Sequence, residues 1–344
     1  MSNQSDVERQ SGPTAVFSGL GRRFVRTSWV SAVALLVVYV VAIAVTVPEI
    51  LSAQTALDVG VAMLPLLIVV IGQTFVMIVA GIDLSATAVM GMSSVVAASI
   101  MTTDGGMIGD QALSVPLAML AFVLVGGLIG LINGVCVAAI GMPAFMVTLA
   151  NMLFMAGAAV WYASAHTTSV SIGDLPAGFR AIGYGGLYGI PYALVIAAGV
   201  AILAQFALTR TAYGRWLFAI GLNPRAAIIS GVATIPVTVS AYVVSGLTAG
   251  LASLIYTSRI ETGTPVIAGN LMLDIVGAAV IGGVSLFGGR GSVLSAIIGV
   301  LFLTVVDKGL QLMGLSLFMV LAVKGLLILV AAVLDVLRIK WAAA

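Results

Sequence analysis

Long apolar runs follow one another along this chain with few charges between them, and that pattern limits the fold more than any other feature. The runs cover residues 29–47, 59–80, 84–103, 113–140, 144–164, 191–208, 234–257, 267–286, 293–306 and 315–337. A helix needs about 20 mostly apolar residues to cross a bilayer. The second and third runs are separated only by Gly81-Ile82-Asp83, and the ninth is short. The expected architecture is an all-α, polytopic membrane helix bundle of about ten spans, within a range of eight to ten.

Composition agrees with this reading. Only 8% of the 344 residues are charged and 61% are hydrophobic, with a mean hydropathy of +1.23. Soluble globular chains carry roughly 25% charged residues. Membrane lipid must therefore cover most of this surface. The unbroken series of runs predicts one membrane domain, residues 29–337, between a polar tail at 1–28 and a short tail at 338–344. The first tail ends in Arg22, Arg23 and Arg26 and is expected to be disordered. The run after it is longer than a typical signal-peptide core, and no clear small-residue cleavage site follows, so it is read as a retained span.

Lys and Arg set orientation. With the N-terminus inside and ten spans, the inner segments hold Arg9, Arg22, Arg23, Arg26, Arg210, Arg215, Arg225, Arg290, Arg338 and Lys340. The outer segments hold Arg180 and Arg259, with Lys308 near the edge, and most of their charges are acidic: Glu49, Asp58, Asp104, Asp110, Asp174 and Glu261. Both termini are therefore expected in the cytoplasm. Glycines recur at helix-packing spacing, as in Gly126, Gly130 and Gly134, and in Gly246 and Gly250. Lipid gives helices no hydrophobic reason to associate, so close contact at small residues must hold them together. Glycine also lets helices break where backbone groups line a pathway.

Several function classes are excluded. No GxxxxGK[ST] occurs, so the chain cannot hydrolyse ATP through a P-loop. The one cysteine, Cys136, cannot form an intrachain disulfide. The one histidine, His166, is read as a solvated residue of an outer loop, and no metal cluster or catalytic constellation is visible. No basic, aromatic-rich segment suggests nucleic acid.

The informative segment is the inner loop at 210–231. Asn223 followed by Pro224 is a helix start, an Asn cap and then a proline whose missing N–H costs nothing. Ala226, Ala227, Ile228 and Ile229 continue the helix and Gly231 ends it. Two turns are marginal alone in water, so the helix needs a surface to rest on. That surface is either the lipid headgroups or a partner protein, and in the second case Ala226 and Ala227 are the expected points of insertion.

The spacing of Thr211, Gly214, Arg215, Ala219, Gly221, Asn223, Ala226, Ala227, Ser230 and Gly231 resembles the coupling-helix loop of ribose-type monosaccharide ABC importer permeases. Gly81-Ile82-Asp83-Leu84-Ser85 resembles the GIDLS motif of that family, and 281–291 keeps its GG-x-SL-x-GG-x-G portion. Leu273-Asp274 is followed by Ile275-Val276-Gly277 where the family has AIA, and Asp307-Lys308-Gly309 stands where it has Asn-Asn-Gly. The resemblance runs roughly from Gly72 to Asp335. It implies a transport subunit of the bacterial inner membrane without a cofactor or catalytic site of its own. Its implied partners are an ATP-binding cassette ATPase subunit, a periplasmic solute-binding protein, and a second copy or a related permease. Residues 210–231, including Pro224 and Arg225, would couple to the ATPase.

Asp83, Ser85, Asp274, Gly282, Gly283, Ser285 and Lys324 are the candidates for pathway or gating roles. Asp83 is read either as a cap accepting the N–H of Ser85 or Ala86 or as a gate. A lysine at the bilayer centre costs about 2.5–3.5 kcal/mol, so Lys324 is expected to face inward with a partner, and Asp274 is the expected one. Permeases for nucleosides or branched-chain amino acids, an ion-coupled carrier using Asp274 and Lys324, and a passive channel are the alternatives.

Overall fold

The computed structural model describes residues 28–167 and 170–343. The N-terminal tail with Arg9, Arg22, Arg23 and Arg26 lies outside the described residues, as do the side chains of Arg338 and Lys340. The described chain is almost wholly helical: α1 (Ser28–Thr46), α2 (Ala53–Ile78), α3 (Ala86–Met101), α4 (Gln111–Ala138), α5 (Ala144–His166), α6 (Ala177–Tyr184), α7 (Tyr192–Arg210), α8 (Ala212–Leu222), α9 (Pro224–Ile229), α10 (Thr234–Ile260), α11 (Met272–Gly282), α12 (Val293–Leu312) and α13 (Leu317–Ala343). Two-residue strands, β1 (Gly186–Leu187) and β2 (Ile190–Pro191), form a hairpin between α6 and α7.

Six helices, α2, α4, α5, α7, α10 and α12, are long and apolar enough to cross a membrane, and four shorter apolar helices accompany them. These ten fall on the ten expected runs. α2 is the centre of the bundle, with every residue from Leu64 to Ile78 buried. α5 and α7 lie outside, presenting Leu153, Phe154, Trp161, Leu203 and Phe206.

The glycine spacing does what it predicts. Gly126 and Gly246 face each other across α4 and α10 so closely that a Cβ on either would strike the other's carbonyl oxygen. Gly130, Gly134 and Gly250 press on the backbone of the same helix pair, so the two helices touch main chain to main chain.

Some boundaries differ from expectation for physical reasons. The run at 267–286 yields only α11, 11 residues long and about 16 Å at 1.5 Å per residue, half the hydrocarbon thickness. Gly283 at φ 102° ends it. The short ninth run becomes the 20-residue α12. Its last turns carry Asp307 and Lys308, which are tolerated because Asp307 pairs with Lys324 and Lys308 with Asp58 at 2.9 Å. His166 ends α5 rather than lying in a loop. It is exposed, with its ring stacked on Tyr162 and Nδ1 2.8 Å from the Tyr162 carbonyl.

Segments expected on the outer side gather at the end where α2 begins. Arg180 pairs with Glu261 at 3.1 Å, and the Arg259 guanidinium donates to the Val61 carbonyl. Thr103, Asp174, Arg180 and Glu261 share one cleft there. Of the segments expected on the inner side, 210–231 and 287–291 meet at the other end of α2.

Candidate functional site: a surface loop, a broken helix and the polar network between them

The loop at 210–231 folds as two helices, one more than the sequence suggests. Thr211 caps α8, its Oγ1 accepting the Gly214 N–H at 3.3 Å, while the Arg215 side chain donates back to the Thr211 carbonyl. The cap was the available signal for α8. Asn223 caps α9 as expected, Oδ1 accepting the Ala226 N–H at 3.1 Å, with Pro224 first in the helix. The Ser230 N–H closes the last turn on the Ala226 carbonyl, and Gly231 leaves it at φ 80°.

The exposed face of α9 differs from expectation at one position. Arg225 and Ala226 are exposed, but Ala227 is 3% exposed and belongs to the chain's own core. A helix so short must turn one face to the body it rests on. The free apolar face is carried by Ile228 and Ile229, at 59% and 87% exposure.

Two of the motif segments meet where α8 ends, at the end of α2 just before the third. A Cβ on Gly221 would overlap the Ile78 carbonyl at the end of α2 and approach the Gly289 nitrogen at 2.5 Å. The Gly289 N–H donates to that same Ile78 carbonyl at 2.9 Å. Gly288 and Gly289 hold φ values of 85° and 69° in the turn. Ser285 closes that turn, its N–H donating to the Arg290 carbonyl and its Oγ accepting the Phe287 N–H. Gly282 packs on the Ser295 carbonyl of α12, and Gly283 takes φ 102° at the end of α11.

Between α2 and α3 the helix breaks over 79–85, and a polar network fills the break. The buried Asp83 carboxylate takes Ser85 N–H and Ser85 Oγ–H on Oδ1, at 2.9 and 2.7 Å, and Ser245 Oγ–H on Oδ2 at 2.7 Å. Three donors offset the cost of burying this charge. Asp83 does accept the Ser85 N–H, as the capping reading requires, and it also binds α10. Asn133 of α4 donates to Ser85 Oγ at 2.8 Å, and Asn151 of α5 donates to Asn133 Oδ1 at 2.8 Å. With its amide oriented by its neighbours, Gln73 bonds both the N–H and the carbonyl of Asp83. Asn133, Asn151 and Ser245 escaped the sequence reading because each is one polar residue in a long apolar run, and only the fold gathers them.

Asp274 and Lys324 form the expected pair, at the opposite end of α11 from Gly282. Lys324 Nζ lies 2.6 Å from Asp274 Oδ2 and 3.0 Å from Asp307 Oδ2. Asp307 is thus a third member, joining α12 to α11 and α13.

The profile of the family described as "Branched-chain amino acid transport system / permease component" matches residues 55–332. The chain belongs to this permease family. The permease is 34% identical over 268 residues to the ribose import permease protein of Haemophilus influenzae, covering 78% of this chain and 80% of the relative. It is 30% identical over 319 residues to the ribose import permease protein of Escherichia coli K12, covering 92% and 97%. It is 32% identical over 264 residues to the D-allose transport system permease protein of the same bacterium, covering 77% and 78%. No solved structure matches the permease. Family membership makes the permease a multi-pass membrane transport component rather than an enzyme.

Proposed function

We propose that this permease forms the translocation pathway of an ATP-binding cassette importer for a monosaccharide. It works with an ATPase subunit, a periplasmic solute-binding protein and a second permease, either a copy of itself or a homologue. The observation that carries the reading is the meeting of α8 with the broken α2–α3 segment at Gly221, Ile78 and Gly289. A push on the α8–α9 loop is thereby delivered to the backbone holding the buried Asp83 network. Relatives named for ribose, allose and fructose import favour a monosaccharide over the amino acids of the family's description.

In this reading the protein crosses the bacterial inner membrane about ten times, with both termini and residues 210–231 in the cytoplasm. Residues 1–28 and 338–344 are cytoplasmic tails flanking a permease domain at 29–337. Ile228, Ile229 and Arg225 meet the ATPase, while Asn223, Pro224, Ala227, Ser230 and Gly231 shape the helix that presents them. Asp83 and Ser85 hold the break that must move when the pathway opens.

The test is uptake in proteoliposomes containing the permease with its ATPase and binding protein. Labelled monosaccharide should accumulate only with ATP on the ATPase side, and a proton uncoupler should not stop it. Uptake driven by a proton or sodium gradient without ATP would replace this reading with an ion-coupled carrier. Solute flux through the permease alone would replace it with a channel.

A further inference from the structure

Asn151 is an unusual residue for a lipid-facing position. It is the eighth residue of α5, about 10 Å along the helix at 1.5 Å per residue, which is well inside the hydrocarbon if α5 spans. The helix around it is largely apolar, and Phe145, Met146, Leu153, Phe154 and Trp161 on it are exposed. Asn151 itself is half-buried. Its Nδ2 is committed inward to Asn133 Oδ1 at 2.8 Å, and its Oδ1 makes no hydrogen bond among the described residues. An acceptor facing lipid without a donor costs free energy on the order of kilocalories per mole.

The side chain is also held from behind. Asn133 is fully buried and donates its own amide to Ser85 Oγ, which in turn donates to Asp83. The chain of bonds uses Asn151 as a donor inward and leaves its carbonyl oxygen as the free group. No charge is offered at this point, because the Asp83 carboxylate is occupied by its own donors. A held, neutral acceptor on a half-exposed face suits the hydroxyl of an uncharged, polyhydroxylated solute.

We infer that the Asn151 face of α5 borders a water-filled solute pathway, and that Asn151 Oδ1 accepts a hydrogen bond from a solute hydroxyl in transit. The inference rests on the permease reading and deepens it by naming a residue that meets the solute.

Cysteine accessibility tests it. A thiol must ionise to react with a charged methanethiosulfonate, which requires water. In a Cys136→Ala background, Asn151→Cys and Ala158→Cys are compared with Leu203→Cys, whose parent residue is 71% exposed on α7. Ala158 lies two turns further along the same face and leaves the amide network intact, so a poorly folded Asn151→Cys does not void the test. In the full complex in proteoliposomes, both α5 cysteines should react clearly faster than Leu203→Cys, and transported monosaccharide should slow them. Labelling no faster than at Leu203→Cys would overturn the aqueous face, and labelling indifferent to the sugar would overturn the solute contact. Either result alongside normal ATP-driven uptake by the Cys136→Ala parent removes this inference alone. Absence of ATP-driven uptake in wild type removes the permease reading itself.

Discussion

Lys324 Nζ lies 2.6 Å from Asp274 Oδ2, and the two side chains are only 8% and 7% exposed. Asp307 Oδ2 stands 3.0 Å away on the same ammonium, so one lysine ties α11, α12 and α13 together. α11 is too short to hold itself across the bundle, and this ion cluster fixes its first turn.

The first prediction follows from the cost of a buried charge without its partner. Lys324→Met leaves two carboxylates facing each other and should lower stability by about 3–5 kcal/mol. Asp274→Asn should cost less, because Asp307 still neutralises the lysine. The double variant should recover about 1–3 kcal/mol relative to the sum of the singles. Thermal unfolding of the detergent-purified protein measures all three, and strict additivity would show that the pair is not coupled.

The second prediction concerns Gly221. An added methyl would meet the Ile78 carbonyl and the Gly289 nitrogen, both backbone atoms that cannot swing away. Gly221→Ala should destabilise the permease by about 1–3 kcal/mol. Gly157→Ala on α5, where nothing lies within 4 Å, should be neutral or stabilise by up to about 1 kcal/mol. Equal unfolding midpoints for the two variants would mean that α8 does not press on the end of α2.

The third prediction ranks the Asp83 network. Ser245→Ala removes one bond to a buried carboxylate and should cost about 1.5–3 kcal/mol. Asp83→Ala strands Ser85 N–H, Ser85 Oγ and Ser245 Oγ together and should cost more, since each unpaired buried group carries about 1–3 kcal/mol. Denaturation midpoints give the order. Equal losses would show that the carboxylate is not the hub of the network.

Much of this architecture is legible in the residue order, because lipid imposes a one-dimensional rule. A run of apolar residues long enough to span must be a helix, so the helices fall where the runs are. Packing of α4 on α10 is legible too, since glycines four apart on one helix can serve little else in lipid. The two sites are harder. Lys324 demands a partner and Asp274 is an obvious one, but Asp307 stands 33 residues from Asp274 and beside Lys308, and nothing local says which cation it takes. Asn133, Asn151 and Ser245 carry no spacing signal, because a hydrogen bond between distant helices leaves no trace in either. The half-length of α11 is invisible to hydropathy, which reads Ile267 to Leu286 as one apolar stretch and cannot see the positive φ at Gly283.

The fourth prediction tests the proposed contact between the α8–α9 loop and an ATPase. A subunit without a nucleotide site can be driven only by mechanical contact with one that has it. The loop offers a short helix whose free face is Ile228 and Ile229, with Arg225 and Ala226 beside them, while Ala227 is turned into the permease. A charge at Ala227 would therefore disturb the permease's own packing and confuse loss of contact with loss of fold. Ile229, at 87% exposure, separates the two. Ile229→Glu removes apolar area from the contact and places a carboxylate there, without burying that charge in the free protein. Permease abundance and unfolding midpoint should stay at wild-type values, since exposed substitutions of this kind change stability by about 0.5 kcal/mol or less. Co-purification of the ATPase should fall severalfold, and ATP-driven uptake should fall with it. Ala227→Glu should instead lower the unfolding midpoint itself. The deciding measurement is the amount of ATPase retained per permease for Ile229→Glu. Wild-type retention together with wild-type uptake would leave α9 as a helix resting on lipid headgroups and would place the driving contact elsewhere on the cytoplasmic face.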